Sequence, residues 1–409
     1  MKRLLGVALG ILTAIGGFVD IGDLVTNAVV GSRFGLSLAW VVGVGVVGIC
    51  LFANMSGRVA AVSGRATFEV IRERLGPRAG LANLSASFFI NLMTVTAEIG
   101  GVALALQLAS SVHYLLWIPV AAVAVWLVIW RVKFKIMENV TGLLGLTLIV
   151  FAVALFLLKP DWMALAGQAF SPSVPGEETV SAYWYYAIAL FGAAMTPYEV
   201  FFFSSGAVEE GWSIKDLVQS RINVLVGFPL GGFLSVAIAA CAAVVLLPAG
   251  IEVTSLSQVV LPVAEGAGKV GLAFVLVGLV AATFGAALET TLSSGYTLAQ
   301  FFGWSWGKFR RPAQAARFHL AMIICLLVGI AVLATGVDPI LVTEYSVVFS
   351  AIALPLTYLP ILIVANDPQY MHEHVNGRVV NALAMVYLVI ILCASLAAIP
   401  LMILTGAGS

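Results

Sequence analysis

Charge is scarce in this chain. Of its 409 residues only 10% are Asp, Glu, Lys or Arg, against about 25% in a soluble domain, which excludes an ordinary water-soluble enzyme. Twenty basic residues balance 20 acidic ones, so no polycationic surface exists for nucleic acid. Cysteine is scarce too. Cys50, Cys241, Cys325 and Cys393 lie singly in apolar stretches without a CxxC pair, and read as small buried hydrophobes. No Gly-x4-Gly-Lys-Ser/Thr phosphate loop occurs, so a nucleotide-driven engine has no sequence support. No His-Glu-x-x-His helix supports an intramembrane metalloprotease, and no pore-loop signature supports a channel. The chain is not expected to be an enzyme, and no cofactor is expected.

What the chain has is apolar sequence, 61% of all residues, threaded with 40 glycines that suit close helix packing in a bilayer. A membrane-crossing helix needs roughly 20 predominantly apolar residues. Eleven such runs are present, at about 4–32, 36–54, 83–110, 113–130, 137–158, 183–207, 220–248, 268–303, 314–336, 339–365 and 380–405. Lys2 and Arg3 precede the first run, but aspartates interrupt it and no small-residue cleavage site succeeds it, so it reads as a span and not as a signal peptide. With the N-terminus inside and the C-terminus outside, 17 of the 20 basic residues fall on the cytoplasmic side, leaving Arg33, Lys159 and Lys269 outside. That is the bias the positive-inside rule requires. The expectation is a multi-pass, all-α protein of the cell membrane, one transmembrane domain over 1–409, monomeric, with the lipid bilayer as its surroundings.

Five carboxylates are singled out within these spans: Asp20, Asp23, Glu98, Glu199 and Glu289. No Lys or Arg lies deep in a span to pair with them, and a carboxylate at mid-bilayer costs a few kcal/mol. Unpaired acids of this kind point to a cation pathway. Two spans are also interrupted. The first carries Gly16, Gly17 and Gly22 around Asp20 and Asp23, and the sixth carries Thr196-Pro197-Tyr198-Glu199. Proline removes a backbone donor, and unwound backbone at membrane depth is tolerated where it lines a cavity. The interruptions lie five spans apart, which is the plan of an inverted-repeat transporter, 1–158 against 183–365, with 380–405 as an additional helix.

Asp20, Asp23, the Thr196 hydroxyl and carbonyls near Gly17 and Ala193 form an oxygen-rich donor set. Hard oxygen donors suit Mg2+, Ca2+ or Mn2+. Met195 is read as packing, and Tyr198 as a hydrogen-bond donor to a carboxylate or a bound water. Glu199 is assigned to the outer surroundings of the site, a permeation path or a proton route. Glu98 and Glu289 have either a direct role or neighbouring hydroxyls such as Thr94, Thr96, Thr290 and Thr291 to satisfy them. Met371-His372-Glu373-His374 reads as a solvated loop, as do Glu177-Glu178 and Glu209-Glu210.

Four stretches carry a family resemblance: DIGDLVTNAVVGSRFGLSLAWVV, SGRVAAVSGRATFEVIRERLGPR, ALETTLSSGYTLAQFFGW and NGRVVNALAMVYLVI. With them the chain resembles the NRAMP superfamily of divalent metal transporters. The first is similar to the family's Asp-Pro-Gly-Asn segment and the run into its second helix. The second is similar to its cytosolic loop 2–3, the third to its helix 8, and the fourth to the start of its helix 11. The resemblance implies a LeuT-type 5+5 inverted repeat with discontinuous helices 1 and 6. It implies that Asp20 matches the metal-binding aspartate, Asp23 an asparagine ligand, and Gly17 and Ala193 the residues that offer carbonyls. Thr196 and Tyr198 stand where the family has methionine and histidine, and Ser346 or Val347 aligns with a polar residue near the site. Loss of the thioether and gain of a charge at Asp23 imply a hard cation, Mg2+ before Mn2+, as in the magnesium-transporting branch of the superfamily. Val95 replaces a family aspartate beside Glu98, which with the missing histidine implies weak or absent proton coupling. A proton-coupled Mn2+/Fe2+ transporter of the same family, and a LeuT-type carrier of an organic solute such as an amino acid, are the alternatives.

Overall fold

The computed structural model describes residues 19–406 except Glu177 and Phe309. The first half of the first span, with Gly16 and Gly17, lies outside the described residues. The described chain forms α1 (Ile21–Phe34), α2 (Ala39–Ser63), α3 (Thr67–Ser110), α4 (Tyr114–Arg131), α5 (Phe134–Gly145), α6 (Val150–Leu157), α7 (Trp162–Phe170), α8 (Val180–Ala194), α9 (Pro197–Glu209), α10 (Leu217–Ala249), α11 (Leu256–Phe302), α12 (Ala316–Ala334), α13 (Pro339–Ala365), α14 (Pro368–Met371) and α15 (Arg378–Leu404). Among the described residues no strand occurs, and ten segments are long and apolar enough to cross a membrane. α1 is the described part of the first span.

Several helices run past the apolar boundaries. α3 begins at Thr67, sixteen residues before the expected third span, and bends at Gly76 (φ 81°) ahead of Pro77. The expected loop 2–3 is therefore mostly helical, its polar faces held by ion pairs: Arg65 contacts Glu73 at 2.6 Å, and Arg74 contacts Asp367. Asp367 lies below the usual carboxylate range because the Gln369 backbone N–H donates to it, with Arg74 adding to the effect. α11 likewise starts at Leu256 and bends at Gly268 (φ 63°), where the eighth apolar run begins. The fifth run is divided between α5 and α6 by a short 3-10 turn, Leu146–Ile149.

α3 packs along α11 and α13 through the middle of the bundle, and α1 lies along α10. The α1–α10 approach depends on Gly31, where an added Cβ would sit 2.2 Å from the Ala239 carbonyl oxygen. The bundle wears its apolar residues outward as well as inward: Leu116, Phe156 and Ile403 are 66%, 67% and 72% exposed. A surface of this kind fits lipid and not water. Cys393 is also exposed on α15, a correction to the expectation that all four cysteines are buried.

Candidate metal site between the α1 N-terminus and the α8–α9 break

The break between α8 and α9 and the start of α1 at Ile21 each have a local cause. The residue before a proline is driven out of the α region, and Thr196 accordingly has φ −57°, ψ 113°, with Pro197 opening α9. Met195 caps α8 at φ −105°, ψ 55°. Asp20, extended at φ −99°, ψ −177°, is the N-cap of α1, and its Oδ1 accepts the Asp23 backbone N–H at 2.8 Å. A second acid serves the same helix end. Glu98 of α3 accepts the Ile21 N–H with both oxygens, at 3.2 and 3.4 Å. Carboxylates are favoured there because unsatisfied N–H groups give a helix N-terminus partial positive charge.

Between these elements lies a cavity of about 10 Å³ lined by Asp20, Glu98, Ala193, Thr196 and Ser346, among others. That volume holds about one water-sized occupant. The polar side chains that line it are carboxylates and hydroxyls, set beside apolar Ile21, Ala97 and Val347. The Thr196 hydroxyl donates to the Ala193 carbonyl at 2.7 Å, and Ser346 shares a 3.0 Å hydrogen bond with Thr94. Among the described residues no group of three His, Cys, Asp or Glu side chains is placed to hold a metal. Oxygens of mixed kinds would have to supply the coordination.

The expected residues divide. Asp20, Ala193, Thr196, Glu98 and Ser346 line one cavity, and Val347 lines it too, so the two alignments for that position meet in one place. Gly17 lies outside the described residues. Asp23 does not line the cavity. Its Oδ1 accepts from Asn27 at 2.9 Å and its Oδ2 from Ser235 of α10 at 2.5 Å. One helical turn separates its role from that of Asp20, because Asp20 folds back over the helix end while Asp23 projects from the first turn. Tyr198 reaches Asp20 instead of the cavity, its hydroxyl donating to Oδ2 at 3.4 Å. Glu199 and Glu289 also stand away from it and hydrogen-bond each other.

Other expectations are corrected. Thr96 and Thr290 donate to carbonyls of their own helices, and Thr94 binds Ser346, so none of these hydroxyls satisfies a buried acid. Glu209 is not a loose loop charge: it accepts from the Tyr296 hydroxyl at 2.7 Å and the Lys308 backbone N–H at 2.6 Å. Glu178 pairs with Arg33 at 2.7 Å, while Glu177 lies outside the described residues. Met195 packs toward Gly48, where an added Cβ would sit 2.7 Å from its sulfur. Thr94, Thr343 and Ser350 line the cavity as well, beyond the expected set. Their spacing carries a signal: Thr343, Ser346 and Ser350 recur at three and four residues, as do Thr94 and Glu98 at four, which places each set on one helix face. Glu344, in the tenth apolar run, is a further acid within a span.

Comparison with known proteins adds a relationship to this geometry. Residues 10–400 match the family model described as "Natural resistance-associated macrophage protein-like", Nramp. A divalent metal cation transporter, MntH, from Aeromonas hydrophila is 27% identical over 380 residues, covering 90% of this chain and 88% of its own. Among solved structures, the Eremococcus coleocola manganese transporter superposes with a TM-score of 0.71 at 20% identity, covering 97% of this chain and 85% of that one. MhsT in complex with L-phenylalanine takes the same path, with a TM-score of 0.60 at 18% identity and 97% of each chain covered. The architecture is thus a LeuT-type helical fold, shared by proteins whose ligands differ.

Proposed function

Because the chain belongs to the Nramp family, we propose that it moves a divalent metal cation across the cell membrane by alternating access, with Asp20 as the principal ligand. The observation that carries this reading is a cavity whose polar side chains are all oxygen donors, lying where the N-terminus of α1 meets the α8–α9 break. Thr196 and the Ala193 carbonyl complete the donor set from α8–α9, with Gly17 offering a further carbonyl. Asp23 adds negative charge beside the site and becomes a ligand when its bonds to Asn27 and Ser235 exchange. Repeats 1–158 and 183–365 rock against each other, and the end of the bundle that gathers Arg65, Arg74, Lys308 and Arg310 faces the cytosol.

The cation is a hard one, Mg2+ ahead of Mn2+. Met195 turns its sulfur toward α2 and the cavity offers hydroxyls, so the soft donor that favours transition metals is missing. Proton coupling is weak or absent, since no histidine faces the cavity and Val95 stands beside Glu98. An organic solute with a carboxylate is disfavoured because Asp20 and Glu98 already occupy the α1 N-terminus that would receive it.

A proteoliposome flux assay comparing Mg2+ with Mn2+ while recording internal pH tests the proposal. Mg2+ uptake that is lost in Asp20→Ala and leaves internal pH unchanged supports it. Uptake that survives Asp20→Ala removes the site, and Mn2+ uptake alone with matched acidification removes both the hard-ion preference and the uncoupled mechanism.

A further inference from the structure

Glu199 and Glu289 come from different helices, α9 and α11, and are 3% and 4% exposed. Their carboxyl groups share a hydrogen bond, yet Glu199 Oε2 is buried with no hydrogen-bond partner. No Lys, Arg or His pairs with Glu199 among the described residues. A buried carboxylate oxygen without a donor is costly, and protein interiors normally satisfy such atoms. Two carboxyls facing each other around an unsatisfied oxygen are half of a hard-cation site, since Mg2+ and Mn2+ are commonly held by one or two carboxylates plus water.

The position on the path matters as much as the chemistry. Glu199 is three residues beyond Thr196 on α9, about 4.5 Å along the helix axis. α9 runs from the Asp20 cavity toward the end of the bundle where Glu209 meets the Lys308 backbone. We infer that Glu199 and Glu289 form a second cation site, through which a divalent ion passes between the Asp20 cavity and the Arg-rich end of the bundle. The inference rests on the proposed cargo and on the proposed Asp20 site. In the empty state one proton lies in the carboxyl–carboxyl hydrogen bond. A divalent ion displaces that proton to water and leaves the two carboxylates neutralised by its two charges. The two sites fill in turn, because two dications held at neighbouring sites repel each other.

Glu199→Gln separates this role from a structural one, since the amide can still donate to Glu289 while the charge is gone. The experiment measures Mn2+ flux in proteoliposomes and Mn2+ binding by electron paramagnetic resonance on the purified full-length chain. Expected are at least a tenfold fall in flux in Glu199→Gln and in Glu289→Gln, and weak Mn2+ binding that persists in Asp20→Asn and disappears in Asp20→Asn/Glu199→Gln. Flux within twofold of wild type in Glu199→Gln, or Asp20→Asn binding unaffected by adding Glu199→Gln, overturns the second site. Wild-type acidification that Glu199→Gln abolishes while that residual binding remains makes the pair a proton relay and also overturns it. Failure of the transport proposal itself shows separately, as wild-type flux no greater than in empty vesicles, and the binding measurements still decide the site.

Discussion

The Tyr198 hydroxyl donates to Asp20 Oδ2 at 3.4 Å across 178 positions of sequence. The contact joins the start of α9 to the cap of α1, and under the proposed function the Tyr198 hydroxyl competes with the cation for the same oxygen. Asp20 Oδ1 is held by the Asp23 N–H, which leaves Oδ2 as the oxygen that exchanges partners.

Tyr198→Phe removes that competition. A net hydrogen bond is worth about 1 kcal/mol, so apparent Mg2+ affinity by isothermal titration calorimetry is expected to rise by roughly fivefold. A fall in affinity would place the hydroxyl in the ion's coordination or its bound water and not in opposition to it.

Thr196→Met exchanges a hard oxygen for a soft thioether beside the Ala193 carbonyl. Flux of Mn2+ or Cd2+ relative to Mg2+ is expected to rise by about tenfold, since softer metals gain from sulfur. An unchanged ratio in competition flux assays would remove Thr196 from the coordinating set.

Glu98→Gln tests the acid that receives the Ile21 N–H with both oxygens. Loss of a charge at a helix N-terminus costs about 0.3–1 kcal/mol in exposed helices and up to ~2 kcal/mol when partly buried. The thermal midpoint of the purified chain is expected to drop by a few degrees. Equal stability would mean that the carboxylate is not the cap.

Gly31→Ala and Gly43→Ala form a matched pair. A Cβ at Gly31 would lie 2.2 Å from the Ala239 carbonyl oxygen, whereas nothing lies within 4 Å of one at Gly43. Overpacking costs about 1–3 kcal/mol, so thermal unfolding is expected at lower temperature for Gly31→Ala and unchanged or higher for Gly43→Ala. Equal midpoints would show that α1 and α10 do not depend on this close approach.

Short-range chemistry and the bilayer made much of the fold legible in the sequence. Apolar runs predict helices, and the ten described membrane-crossing segments fall on ten of the eleven runs. Thr196-Pro197 interrupts the sixth run because a proline imposes its geometry on the residue before it, and the interruption appears where expected. Apolarity marks where lipid lies but not where a helix ends, which is why α3 and α11 continue beyond their runs through residues that bury one face or pair their charges.

Which acids meet was settled by packing. Asp20 and Asp23 are three residues apart, yet the first caps its helix beside the cavity and the second turns to Ser235 on α10. Glu199 found Glu289, and Glu209 found Tyr296 and the Lys308 backbone. A side chain's partner depends on helix rotation and on which distant elements pack against it, and neither is written in local spacing. The scarce charges of the chain were therefore readable as intramembrane acids, while their division between a helix cap, a cavity wall and a carboxyl pair arose from the tertiary arrangement.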